Sequence, residues 1–107
     1  NMNDEKWEDA MLKIKENFQL EEELTEDHPE IESGIIETVV FDSPMGRIKL
    51  IRTTTPKVLD KKTFYSSRSG SDMSVKYDYS ATEFVNNLEI FKWNGSQDAW
   101  QEASLEF

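Results

Sequence analysis

The sequence predicts an α+β fold, an N-terminal amphipathic helix packed on an antiparallel sheet of five or six strands in meander order. A partly closed barrel is the alternative. Three observations predict it: one stripe of apolar residues at helical spacing near the start, a series of β-branched and aromatic runs after residue 35, and turn residues between those runs. The chain has 107 residues, enough for a single domain over 1–107. Apolar residues make up only 36% of it, but three Trp, three Tyr and six Phe give a thin core large rings to bury.

The helix is read over 3–20. Trp7, Met11, Ile14 and Phe18 follow one another at steps of four, three and four, a single face of a 3.6-residue period. Asn3 is placed to cap it, with Asp4 and Glu5 in the first turn, where the helix dipole favours acids. From residue 21 the period is lost. The run to residue 34 is acidic, holds Pro29 and Gly34, and reads as a linker.

The sheet is read over 35–103. Ile35 to Phe41 form the first strand, and Asp42 to Gly46 a turn. Arg47 to Thr55 form the second, with Ile48 and Leu50 on one face and Arg47, Lys49 and Ile51 on the other. Pro56 either ends this strand or leaves it on an edge. Residues 57–63 read as a connection, Thr63 to Ser67 as a short strand, and Arg68 to Asp72 as a turn. Met73, Val75, Tyr77 and Tyr79 alternate with Ser74, Lys76 and Asp78, which predicts a strand with one buried and one wet face. Residues 83–93 form another strand. Asn94 to Asp98 turn the chain so that Trp93 and Trp100 pack across strands.

Charge is distributed unevenly. The net charge is −10, and residues 1–37 carry all of it, with thirteen acids against Lys6, Lys13 and Lys15. Residues 43–76 carry eight basic residues against Asp60 and Asp72. Such asymmetry bears on partners and solubility rather than on fold.

Catalytic resources are sparse. Cysteine is absent, which removes disulfides, thiol nucleophiles and thiolate metal sites. His28 is the only histidine, and no phosphate loop, nucleophile elbow or metalloprotease motif is present. The reading is therefore a non-enzymatic binding or protein-interaction module that self-associates, with a homodimer as the expected partner and no cofactor. The second reading is single-stranded nucleic-acid or anion binding by the basic segment 47–68, with the acidic N-terminal region as a clamp or cover. Its candidate surface is Arg47, Lys49, Arg52, Lys61, Lys62, Tyr65 and Arg68, because charge that tracks a backbone beside rings that stack on bases is what single strands require. A third reading is an enzyme using carboxylates, from Asp78, Glu83 and Glu89. No run of about 18 apolar residues is present to span a membrane, and the charged first fifteen residues make the cytoplasm the default location.

Overall fold

A computed structural model gives the backbone of residues 2–65 and 73–105, and the side chains of 2–61 and 76–105. One helix packs on one face of a five-stranded antiparallel sheet that does not close into a barrel. The order is α1 (Asp4–Asn17), β1 (Gln19–Asp27), β2 (Ile35–Ser43), β3 (Gly46–Tyr65), β4 (Met73–Asn94) and β5 (Ala99–Glu102), with each strand beside its sequence neighbour.

The helix forms where its stripe and cap predict. The Asn3 side chain accepts the Lys6 amide at 2.9 Å, and Trp7, Ala10, Met11 and Ile14 are buried. They meet Val39, Phe41, Ile48 and Leu50, the inward residues of β2 and β3, with Met2 closing the cluster. Leu50 has no exposed surface and Ile48 only 1%.

The helix ends three residues early, and the expected acidic linker is instead an edge strand. Phe18 is extended, and its ring stacks on Phe41 at 5.4 Å between centroids. Backbone pairing with β2 then draws residues 19–27 into the sheet, from Gln19 opposite Asp42 to Asp27 opposite Ile35. Leu and Glu are ordinary helix formers; tertiary pairing overrides that preference. Residues 28–34 turn the chain. His28 Nδ1 accepts the amides of Glu30 and Ile31 at 3.1 and 3.0 Å, and the His28 amide donates to the Gly34 carbonyl at 2.8 Å. The lone histidine is a turn residue.

Two further boundaries move. The turn between β2 and β3 is tighter than five residues, since Ser43 pairs with Gly46, which adopts φ +115°, a left-handed value that suits glycine. The strands expected at 47–55 and 63–67 are one strand as far as Tyr65, with Ser66, Ser67 and the turn 68–72 outside the described residues. Likewise 73–79 and 83–93 are one strand, with register shifts against β3 on both sides of Val58. There Lys57 faces Ser80 to Glu83, and the Ser80 hydroxyl accepts the amides of Thr82 and Glu83 at 3.1 and 2.8 Å. Pro56 is buried within β3. It lies past Thr54, the last β3 residue paired with β2, so its missing N–H costs no bond on that side.

Among the described residues only β3 and β4 continue beyond Pro56 and Phe84, as a two-stranded arm. The molecule is therefore elongated, 60 × 36 × 21 Å, with a radius of gyration of 18.4 Å against about 13 Å for a compact chain of this length.

Candidate interaction surfaces

Alternation along β3 decides which basic residues share a surface. Ile48, Leu50, Arg52 and Thr54 face the helix, while Arg47, Lys49, Ile51 and Thr53 face away from it. On the helix-free face the cations lie against rings. Lys49 Nζ is 4.5 Å from the Trp100 ring centroid and 5.6 Å from that of Phe91, and the Arg47 guanidinium is 5.8 Å from Trp100. Trp93 meets Trp100 edge-on at 5.3 Å, the predicted cross-strand pair. Arg47 also binds Glu21 at 2.7 Å, so the acidic segment does reach the basic strand.

Arg52 does not belong to that surface. It is 3% exposed and lies on the core face, for the plain reason that its parity matches Ile48 and Leu50. Nε donates to the Met2 carbonyl at 3.1 Å, Nη1 to Glu37 at 2.8 Å, and Nη2 to Asp4 and, at 3.1 Å, to Asn86. Glu37 in turn accepts the Trp7 indole N–H at 3.0 Å, and Asn86 the Thr54 hydroxyl at 2.8 Å. This network ties the N-terminus, α1, β2, β3 and β4 together, and among the described residues no buried side-chain polar atom lacks a partner. A buried guanidinium needs this saturation, because an unpaired buried charge is costly.

An open cleft of about 860 Å³ lies between the helix and the sheet beside this network, walled by Trp7, Ile35, Glu37, Arg52 and Phe84 among others. The carboxylates singled out in the sequence lie elsewhere. Glu89 pairs across to Ile51 on the helix-free face, Asp78 lies on the arm, and Glu83 reaches Lys57 at 3.8 Å. Among the described residues no group of three or more His, Cys, Asp or Glu is placed to hold a metal ion.

Lys61 lies on the arm, 5.9 Å from the Tyr77 ring centroid. Lys62 and Tyr65 are arm positions on β3 whose side chains fall outside the described residues, as does Arg68 altogether. Tyr77 and Tyr79 hold alternate positions of β4 as expected, but they are not buried. They are 43% and 41% exposed, because the arm runs past the helix and no described layer covers them. The side chains of Met73 and Val75 on the same expected face lie outside the described residues. Val58, Leu59, Phe84 and Val85 are exposed along the same ribbon. At the opposite edge of the sheet β1 is exposed at every residue but Leu20, and it carries five acids, Glu21, Glu22, Glu23, Glu26 and Asp27. Sequence reasoning missed both features of this edge, since a run of acids gives no strand signal.

No family model, no curated protein and no solved structure matches this chain.

Proposed function

We propose that this chain is a non-enzymatic protein-interaction module that works by self-association. The observation that carries the reading is the uncovered arm. A two-stranded ribbon is marginally stable by itself in water, and this one leaves Val58, Leu59, Tyr77, Tyr79, Phe84 and Val85 in solvent. The accessible surface supports it. The chain exposes 7933 Å², whereas a compact monomer of its mass exposes about 6,200 Å². The excess exceeds the roughly 800 Å² that each partner contributes to a standard interface. Light scattering on the eluting full chain, from micromolar to millimolar, is expected to give a mass above the 12.5 kDa monomer. A strict monomer across that range overturns the reading.

The helix-free face supports a second reading, single-stranded nucleic-acid binding. Lys49 beside Trp100 and Phe91 supplies a cation among rings on an open sheet, although the net charge of −10 opposes approach of a polyanion. A labelled 12-mer of single-stranded RNA is expected to bind at low salt, more weakly with Lys49→Ala or Trp100→Ala, with a flatter salt dependence for the lysine variant. Absence of binding by the full chain at low salt removes this reading.

A further inference from the structure

The outline of the sheet identifies the partner surface. β1 and β2 are nine residues long, whereas β3 and β4 run for twenty and twenty-two. β2 stops pairing with β3 at Thr54, so among the described residues 55–65 of β3 have no neighbouring strand on that side. The sheet is thus L-shaped, with a notch two strands wide beside the arm. Among the described residues no strand pairs with the outer edge of β1 either, nine residues long.

Resting on the self-association reading, we propose that two copies of the chain join about a two-fold axis perpendicular to the sheet. The free β3 edge of each arm then pairs with the outer edge of β1 of the other copy. That operation sets the β1–β2 pair of each copy into the notch of the other. β1 and β3 run in the same direction within one copy, because each is antiparallel to β2 between them. The two-fold axis reverses the second copy, so the new pair is antiparallel. The lengths agree, nine residues of β1 against the eleven of β3 from 55 to 65. Both contacts are the same contact, so the assembly closes as a dimer instead of growing as an open chain.

Charge selects this pairing over the others. β1 has five acids and no base, so two β1 edges repel. The arm segment of β3 carries Lys57, Lys61 and Lys62 against Asp60, so two such edges also repel, while arm and β1 attract. Exposed apolar residues lie on both sides of the junction, Leu24 on β1 and Val58 and Leu59 on the arm. An unpaired strand edge is a template for a further strand, and here its charge admits only the opposite one.

A charge exchange tests this. One variant carries Lys57→Glu and Lys61→Glu, the other Glu22→Lys, Glu26→Lys and Asp27→Lys, which turns the net charge of β1 positive. Glu22, Glu26 and Asp27 are exposed, and circular dichroism checks that both variants fold. Each alone is expected to dissociate, with self-affinity reduced by at least about tenfold. An equimolar mixture restores both contacts and returns a particle of twice 12.5 kDa. If the unaltered chain dimerises but either variant associates as well as it does, or the mixture stays monomeric, this arrangement is overturned and self-association stands. Growth past the dimer overturns the two-fold closure. A monomeric unaltered chain overturns both.

Discussion

At the scale of single residues, Arg52 has the most to lose. Its guanidinium donates to a carbonyl, two carboxylates and an amide, and it lies 5.8 Å from the Trp7 ring centroid. Removing one partner of a buried pair costs about 3–5 kcal/mol. Here the acids are less buried than the arginine, with the Glu37 side chain 24% exposed and that of Asp4 83%. Solvent screening lowers the expectation for Arg52→Ala to about 2–3 kcal/mol, read from urea unfolding. Arg52→Lys is expected to recover only part of it, because an ammonium cannot serve those acceptors with the fixed fork of a guanidinium. The charge of this arginine predicts a place on the exposed basic surface, although position 52 continues the alternation of the buried Ile48 and Leu50. Its partners are not legible in the sequence, because Met2, Asp4, Glu37 and Asn86 are distant in sequence and meet only in the fold.

At the scale of elements, β1 and its turn carry the difference between expectation and structure. The helix has no glycine or proline at its end; Phe18 leaves it to stack on Phe41. The turn that follows β1 depends on a close approach at Gly34. A Cβ there would lie 2.7 Å from His28 Cβ and 3.0 Å from the Ile31 carbonyl oxygen. His28 cannot yield freely, since its ring holds the amides of Glu30 and Ile31. Gly34→Ala is therefore expected to destabilise by about 1–3 kcal/mol, the usual cost of overpacking. Hydrogen exchange is expected to report it as lost protection at the Asp27–Ile35 end of the β1–β2 ladder. Unchanged exchange there would show that the turn can open without cost. The hairpin at Ser43–Gly46 and the Asn94 turn were both readable, because their signals are local. In the latter, Asn94 Oδ1 accepts the amides of Ser96 and Gln97 at 3.0 and 3.2 Å.

At the scale of the molecule, the asymmetry of charge along the chain becomes an asymmetry in space. The acids of the first 37 residues lie on α1, β1, the turn 28–34 and the start of β2, while Lys57, Lys61 and Lys62 are positions on the arm. Among the described residues the acidic region is paired internally through Arg47, Arg52 and Lys15. Association driven by this separation is expected to weaken as salt rises, since the screening length falls from about 10 Å at 0.1 M to about 3 Å at 1 M. Sedimentation across that range measures it. An association constant independent of salt would assign the contact to the apolar residues of the arm instead. Removing residues 1–33 to expose the basic strand would also remove Met2, Trp7, Ala10, Met11 and Ile14 from the core, so the full chain is the proper object of binding experiments.

Neighbours a few residues apart are enough to encode the helical stripe and its cap, the alternation that sorts Ile48 and Leu50 from Arg47 and Lys49, the turns before Gly46 and after Asn94, and the pairing of Trp93 with Trp100. Periodicity states that an element has two unlike faces, and that much is encoded locally. The tertiary structure decided what lies against each face. It drew an acidic segment into the sheet as β1, joined four expected strands into two long ones, gave Arg52 its partners, and left Tyr77 and Tyr79 without a cover. Those outcomes depend on backbone pairing and packing between distant segments, whose energies no local pattern contains.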